Sequence, residues 1–452
     1  MSIQEKLIIQ NFFSIRYFEW DIRGFNILTG GMGSGKSLAL KLLYFCEQIF
    51  NKTIFSETNL NKDKFYESKY FATIEDFFYQ IFPSKNNKND FKNTIIKYEY
   101  IVLAKKADDT LDNSQFSLFD QPIINKFDLF AEWKEDVNKF KWSSNYISNN
   151  IEKWRNLFDV DKTPDLMDNV RNSIYNLILA DFQNSFPIAT MFIPASRAIA
   201  AIADSISSRD QFINRFLGLK NYALSFDNIS NDIINNILQI KNITVNDKNE
   251  PIFELKDGRS ITSLELSSGQ QELLYLLLLI KDLNETLFRY GESVSVFIEE
   301  PCAHLFPKEQ KETMEFLVAC FSLLQEKKNN EPGHRFFIST HSPYILNTIN
   351  NILEKGRLIK NTEKINNKDL KKEILDKLLE IPFSYLSIDD VSAYMINDDK
   401  FVNSMINKDD NEQYIYSTVI DKIDEDISND SDKLYNINCK IKDNLNNLVG
   451  SI

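Results

Sequence analysis

One segment combines the residue types that bind phosphate, residues 30–37, with the sequence GGMGSGKS. Its glycines, lysine and final serine fit the phosphate-binding pattern G-x-x-x-x-G-K-[ST]. A short apolar run precedes it (residues 25–29) and apolar residues at helical spacing follow it (residues 38–50), which predicts a strand, a loop and a helix. This arrangement directs backbone N–H groups and the positive end of a helix dipole at a phosphate. The alternative is an ordinary glycine-rich turn before a helix.

The predicted roles within this loop follow from its chemistry. Lys36 would reach the β- and γ-phosphates of a nucleotide, and the Ser37 hydroxyl would be a ligand to Mg²⁺. ATP and Mg²⁺ are therefore the predicted cofactors. The loop residues predicted to bind the nucleotide are Gly30, Gly31, Gly33, Ser34, Gly35, Lys36, Ser37 and Leu38.

Two adjacent carboxylates follow a second predicted strand. Residues 293–298 are β-branched, aromatic or small, and Glu299, Glu300 and Pro301 come directly after them. Glu299 would hold Mg²⁺, directly or through water, and Glu300 would be the catalytic residue that orients and polarises the attacking water. The alternative is a pair of exposed acids at the end of a strand.

A serine-rich segment opens an apolar helix further along the chain. Ser267, Ser268, Gly269 and Gln270 come just before a run of leucines that continues to residue 283. Serine hydroxyls, a close backbone and a helix N-terminus would make a second anion-binding site. A serine N-cap with its capping residue is the alternative explanation.

A histidine follows the strand predicted at residues 335–340. His341 could contact a γ-phosphate and report whether it is present, which would give it a catalytic role. A single histidine at a strand end is more often structural, so this motif gains weight only from the other three.

The order of the four motifs resembles that of the ABC-type ATPases. Residues 267–270 resemble their signature motif, residues 302–306 their D-loop, and His341 their switch histidine. The resemblance implies ATP hydrolysis at sites split between protomers, with Ser267 and the Gly269 N–H of one protomer closing over the phosphate bound by another. A homo-oligomer is implied, at least an ATP-sandwich dimer with head-to-tail subunits or a larger ring.

Further segments resemble one branch of these ATPases. Residues 9–15 are similar to the opening of the SMC, Rad50, RecF and OLD ATPases. Residues 299–307 are similar to the E-E-P-x-A-H-L-x-P form of OLD-like ATPases, and residues 192–197 to a segment of the same group. Many relatives carry arginine where Phe13 stands. No glutamine is assigned to a Q-loop, for which Gln80 and Gln183 are candidates.

We expect no Toprim nuclease domain of the kind that OLD nucleases carry. Asp424 and Asp426 form a D-x-D, but a solvated acidic loop explains it better. The resemblance is therefore to the ATPase subunits of bacterial anti-phage systems, of the PARIS type first and the Septu or retron-associated type next. It implies a sensor or scaffold that holds or controls a separate effector nuclease.

The predicted fold class is α/β, an ABC-type P-loop domain with a mixed sheet flanked by helices. Helices are predicted at residues 128–158 and 165–182, strands at 95–103 and 391–396, and a short β-meander at 242–264. The predicted divisions are 1–50 (first part of the ATPase domain), 51–186 (mainly helical insertion), 187–400 (remainder of the domain) and 401–452 (acidic C-terminal tail).

Composition limits the partners and the compartment. The net charge of −13 gives no support to nucleic-acid binding, although a local basic patch could still provide it. The four cysteines form no C-x-x-C pair, and no apolar run is long enough to span a bilayer. We expect a cytoplasmic protein without a membrane partner.

Three competing functions remain besides the defence ATPase. A DNA-repair or chromosome-maintenance ATPase of the SMC or RecF type would clamp DNA and bind it in a salt-sensitive manner. A non-hydrolysing adaptor would not need Glu299, Glu300 and His341. A transport ATPase would be expected to place its motifs closer together and to act with membrane segments.

Overall fold

The computed structural model of the protein describes residues 2–49, 67–83, 91–103, 123–157, 166–182, 185–186, 189–195, 238, 240–245, 251–262, 265–271, 273–274, 276–277, 280, 294–327, 334–362, 368–379, 385–397, 402–409 and 412–415.

Strands and helices both contribute to this part of the chain. The strands are β1 (Ser2–Phe12), β2 (Ile15–Ile22), β3 (Phe25–Gly30), β4 (Ile95–Leu103), β5 (Ile123–Lys134), β6 (Lys139–Ser143), β7 (Ala189–Ile193), β8 (Ile240–Val245), β9 (Pro251–Leu255), β10 (Ser260–Thr262), β11 (Val294–Glu299), β12 (Arg335–Thr340), β13 (Val391–Ile396), β14 (Val402–Ser404), β15 (Ile406–Asp409) and β16 (Glu412–Ile415). The helices are α1 (Lys36–Gln48), α2 (Glu67–Ile81), α3 (Asn145–Asn156), α4 (Leu166–Asp181), α5 (Pro307–Lys327), α6 (Pro343–Thr362) and α7 (Lys368–Leu379).

A six-stranded sheet carries the predicted motifs. Its order is β14-β13-β3-β12-β11-β7, and every neighbouring pair is parallel except β13 with β14. Parallel strands end at the same edge, so the segments that follow β3, β7, β11 and β12 meet there. The predicted α/β class is confirmed.

The central strands of this sheet are buried on both faces, as parallel strands usually are. Alternate residues enter two different apolar clusters: Phe297 and Phe337 pack on one face, with ring centroids 4.5 Å apart, and Val296 and Ile338 pack on the other. The first cluster also contains the apolar side of α1, and the second contains residues of α5 and α6. The sheet is therefore fixed from both sides beneath the motif-bearing edge.

A second, antiparallel sheet has the order β2-β1-β4-β5-β6. The strand predicted at residues 95–103 is confirmed as β4, and β1 pairs with β2 in antiparallel register. The turn between β1 and β2 brings Ser14 to the phosphate-binding loop, where its hydroxyl donates to the carbonyl of Ser34 at 3.3 Å. This sheet thus supports the loop from outside the parallel sheet.

The prediction of a helix at residues 128–158 is wrong for the first half of that range. Strands β5 and β6 occupy that part, and α3 alone is helical. The buried residues Phe127, Leu129 and Ala131 alternate at the period of a strand, which explains the difference. The helix predicted at 165–182 is confirmed as α4. Segment 51–186 therefore contains three strands of the antiparallel sheet as well as helices, and its limits as an insertion stay a prediction.

The remaining predictions for secondary structure fall on smaller elements. The β-meander is confirmed as the sheet β10-β9-β8, and the predicted strand at residues 391–396 is β13. Residues 421–432, which include Asp424 and Asp426, lie outside the described residues. None of the helices in the described ranges is both long and apolar enough to cross a membrane.

Candidate nucleotide-binding site

The phosphate-binding loop connects β3 to α1 at the edge where the parallel strands end. The helix begins at Lys36, and its N-cap residue, Gly35, has a left-handed backbone (φ 113°) and makes no side-chain capping hydrogen bond. A Cβ atom at Gly35 would lie 2.7 Å from the Ser14 hydroxyl and 2.9 Å from Ile15 Cγ1. Glycine is required here by both the backbone angle and the close approach of the β1–β2 turn. The first N–H groups of α1 are oriented for an anion.

Lys36 lies within the mouth of the loop. Its ammonium donates to the carbonyls of Gly30 and Gly31 at 2.8 and 2.9 Å, and it is 3.8 Å from Glu300 Oε1. Burial lowers the pKa of Lys36, and the nearby Glu300 carboxylate partly opposes this. An anionic phosphate at the loop would favour the charged ammonium in the same way as Glu300 does.

Glu300 and His341 are in direct contact. Glu300 Oε2 accepts a hydrogen bond from the backbone N–H of His341 at 3.2 Å and lies 2.9 Å from its ring Nδ1. The Glu300 N–H donates to the carbonyl of Ser339 at 2.8 Å, which ties the end of β11 to β12. The structure thus brings together three of the residues predicted from sequence, Lys36, Glu300 and His341. Their catalytic roles stay predictions.

Glu299 is the last residue of β11 and is buried. Its Oε2 accepts a hydrogen bond from the backbone N–H of Ala195, in the turn that follows β7, at 3.4 Å. Ser37 is exposed in the first turn of α1. In the described part of the chain no three His, Cys, Asp or Glu side chains cluster as a metal site. One carboxylate and one hydroxyl fit Mg²⁺, which usually takes its other ligands from phosphates and water.

The serine-rich segment forms the simpler structure that the sequence allowed. Ser267 Oγ accepts from the Gln270 N–H at 3.3 Å, while Gln270 Oε1 accepts from the Ser267 N–H at 3.1 Å, so the two residues form a capping box. A Cβ atom at Gly269 would lie 2.9 Å from the carbonyl of His304, which shows how closely this helix packs on the turn after β11. A phosphate contact of Ser267, Ser268 or Gly269 stays a prediction.

Some residues around the site had no role in the sequence-based prediction. Ser14 supports the loop, and Gln310 with Ser342 joins the turns after β11 and β12. Only their position beside a motif could have indicated them. Phe13, where many relatives have arginine, is half-buried and packs edge-on against Phe12 at 4.8 Å between ring centroids.

The Q-loop candidates stay unassigned. Gln80 is exposed on α2, and Gln183 lies outside the described residues.

Comparison with solved structures gives low similarity scores. The Smc head bound to the C-winged helix domain of ScpA is 13% identical, with 76% of this chain and 91% of that chain covered and a TM-score of 0.34. The SMC head domain from Thermotoga maritima is 12% identical, with coverage of 77% and 92% and a TM-score of 0.32. The recombination mediator protein RecF-ATPrS in the RecFOR pathway is 11% identical, with coverage of 89% and 98% and a TM-score of 0.31. No curated protein matches the chain.

A family model gives the decisive comparison. The model described as "AAA domain, putative AbiEii toxin, Type IV TA system" matches residues 25–347. This range includes the phosphate-binding loop, the serine-rich segment, both glutamates and His341, and it spans more than half of the chain. The chain therefore belongs to this AAA-domain family.

Proposed function

We propose that the protein hydrolyses ATP with Mg²⁺ at a site completed by a second copy of the chain, and that its nucleotide state controls a separate effector. The contact between Lys36, Glu300 and His341 beside the phosphate-binding loop supports this most strongly. It places a phosphate-binding cation, a carboxylate base and a histidine around one position, which is the arrangement that phosphoryl transfer to water needs.

Each of the candidate site residues has a distinct task in this mechanism. Lys36 and the first N–H groups of α1 bind the β- and γ-phosphates, while Ser37 and Glu299 hold Mg²⁺. When bound, Mg²⁺ neutralises charge that develops on the phosphate oxygens. Glu300 orients the attacking water and accepts its proton, and His341 holds the Glu300 carboxylate in place and contacts the γ-phosphate.

The split site is the second part of the proposal. Ser267 and Ser268 are exposed at the start of their helix, and the Ser267 hydroxyl is bonded to Gln270 of the same segment. In a head-to-tail dimer this helix start would meet the phosphate at the loop of the partner and exchange the internal cap for that phosphate. Met32, which is 93% exposed at the tip of the loop, would be covered by the same contact.

Complementation between two inactive variants tests the split site. Lys36→Ala removes the cation of one site, and Ser267→Arg blocks the opposing helix start. Each variant alone is expected to lack ATPase activity, whereas their mixture forms heterodimers that contain one intact site and regains activity. If the mixture stays inactive although the variants associate, the site lies within a single chain.

The effector role rests on the family and on charge. The family description names a toxin of a toxin–antitoxin system, which is in keeping with a protein that acts alongside a second component. The motifs resemble those of anti-phage ATPases, of PARIS type first, and a net charge of −13 disfavours a DNA clamp. We therefore propose a cytoplasmic sensor or scaffold that holds an effector nuclease.

Recovery of the partner tests this role. Tagged Glu300→Gln chain is purified from its native host with ATP and nuclease treatment, and Lys36→Ala is the matched control. One protein in fixed stoichiometry with Glu300→Gln, and less with Lys36→Ala, supports effector control. Recovery of DNA from an untreated sample, with no protein partner, supports the DNA-clamping function instead.

A further inference from the structure

The turns that carry Glu300 and His341 are joined by a residue outside all the recognised motifs. Gln310 lies in the first turn of α5, half-buried. Its side-chain Oε1 accepts a hydrogen bond from the hydroxyl of Ser342, the residue after His341. Its Nε2 donates to the carbonyl of Leu305, in the turn that follows Glu300, at 2.8 Å. A single side chain thus connects the two turns.

The amide group suits this position. It supplies one acceptor and one donor, and the two turns present a hydroxyl and a carbonyl respectively. A glutamate would turn a carboxylate oxygen toward the Leu305 carbonyl and lose that bond. The main chain of Gln310 adds two contacts to the same turn: its N–H donates to the Phe306 carbonyl at 3.0 Å, and its carbonyl lies 3.7 Å from Cys302 Sγ.

The turn after β11 needs outside support because its backbone is strained. Glu300 and His304 both have left-handed backbones, with φ of 45° and 61°, which are uncommon for residues with side chains. Such conformations persist when neighbouring structure fixes them. In the turn after β12, the Ser342 N–H donates to Thr340 Oγ1 at 3.0 Å. The position of Ser342 is therefore linked to the end of β12 and to His341.

We infer that Gln310 is a positioning residue that holds the Glu300 carboxylate and the His341 imidazole in the geometry that hydrolysis needs. This inference rests on the proposed ATPase function. The hydrogen bonds of Gln310 run to Ser342, Leu305, Phe306 and Cys302, and none of these residues lies in the phosphate-binding loop. Its loss should therefore act on the chemical step and leave nucleotide binding intact.

Steady-state ATPase kinetics of Gln310→Met and Ser342→Ala test the inference. Each change removes the bond between Gln310 and Ser342, so kcat should fall roughly 10- to 100-fold, the scale expected for small misplacement of catalytic groups, while KM for ATP stays within about twofold. The double variant should lose no more than Gln310→Met does, because the bond that Ser342→Ala removes is already absent in Gln310→Met. Ser342→Thr keeps a hydroxyl and should keep activity.

The control is Gln4→Met, the same change at an exposed position of β1, which should leave kcat unchanged. An unaffected kcat in Gln310→Met, a loss confined to KM, or additive losses in the double variant would each overturn the inference. If circular dichroism shows that Gln310→Met does not fold, the result for Ser342→Ala tests the inference instead, since that change only removes a hydroxyl. A wild-type chain without ATPase activity contradicts the proposed function itself, which separates the two failures.

Discussion

Two helix starts that look alike in sequence differ in the way their first N–H groups are satisfied. Both α1 and the helix at Ser268 begin at a segment that contains glycine and serine. The second is capped internally by Ser267 and Gln270, whereas α1 begins after Gly35 with no side-chain cap. Since a helix start leaves N–H groups that need acceptors, α1 has room for a phosphate and the other helix already has a partner.

The presence or absence of an internal cap separates a structural helix start from one that is open to a ligand. The start of α3 is a further reference, because Ser144 accepts from the Ile147 N–H at 3.2 Å and is buried away from the motifs. Ser267 has the same capping bond but is exposed beside the turn after β11. In our account α1 binds the nucleotide of its own chain, and the Ser267 helix start binds only when a second chain approaches.

The largest effect is expected from Lys36→Ala. Charged hydrogen bonds contribute about 1.5–3 kcal/mol each, so removal of the ammonium should weaken ATP binding roughly 100-fold or more. Fluorescent-nucleotide titration measures this directly. ATP affinity close to that of the wild type would show that the phosphate does not bind at the start of α1.

The other end of α1 carries a buried carboxylate whose effect depends on pH. Glu47 lies 3.4 Å from Arg335, which is also paired with Glu5, and burial raises the pKa of Glu47 to about 8. Between about pH 4.5 and 8, Glu47 keeps its proton in the folded protein. In the unfolded chain, where its pKa is 4.5, the same group releases its proton over that range. Stability from this group is therefore present below about pH 4.5 and is lost as the pH rises toward 8.

Replacement of Glu47 with glutamine should remove this dependence of stability on pH. Relative to the wild type, Glu47→Gln should gain stability between about pH 5 and 8, on the order of a few kcal/mol at the upper end. Urea denaturation at several pH values measures it, with Glu135→Gln in the exposed β5–β6 turn as control. Parallel pH profiles for Glu47→Gln and the wild type would mean that Glu47 is ionised in the folded protein.

A smaller loss is expected from Gly35→Ala. The left-handed backbone costs an alanine about 1–2 kcal/mol, and the close contacts with Ser14 and Ile15 add to it. Gly33→Ala is the matched control, since Gly33 also has a positive φ, 70°, but a Cβ there meets nothing within 4 Å. Urea denaturation without nucleotide should place Gly35→Ala clearly below Gly33→Ala. Equal stabilities would mean that the β1–β2 turn does not press on the loop.

The smallest effect on stability is expected from Ser267→Ala. Loss of an N-cap costs about 1 kcal/mol, and Ser144→Ala should cost a similar amount. The two variants should differ in ATPase activity, which falls only in Ser267→Ala if that serine meets a phosphate across the interface. Unchanged ATPase activity in both Ser267→Ala and Ser144→Ala would mean that Ser267 is a structural cap only.

Local patterns are enough to name the candidate site residues, whose roles stay predictions, but not the strand pairings of the surrounding fold. The phosphate-binding loop, Glu300 and His341 each follow a short apolar strand and Glu299 ends one, so a few adjacent residues were enough to name them as candidates. The topology then brings the loop, Glu300 and His341 together, because β3, β12 and β11 are parallel neighbours.

The features that sequence missed depend on distant residues. Strand β4 pairs with β1 across the chain, and β5 was mistaken for a helix because its aromatic residues were matched to a helical period although they alternate as in a strand. The bond between Gln310 and Ser342 joins two turns of different strands, and no local pattern indicates it. Pairings of this kind follow from the packed fold only.

In the proposed mechanism Glu300 activates water beside a nucleotide held by Lys36. Hydrolysis of bound ATP by Glu300→Gln under single-turnover conditions tests it most directly, together with ATP affinity. Our account predicts wild-type-like ATP binding and a loss of hydrolysis of roughly 100-fold or more, the usual contribution of a positioned base. Hydrolysis of bound ATP at the wild-type rate would contradict the claim.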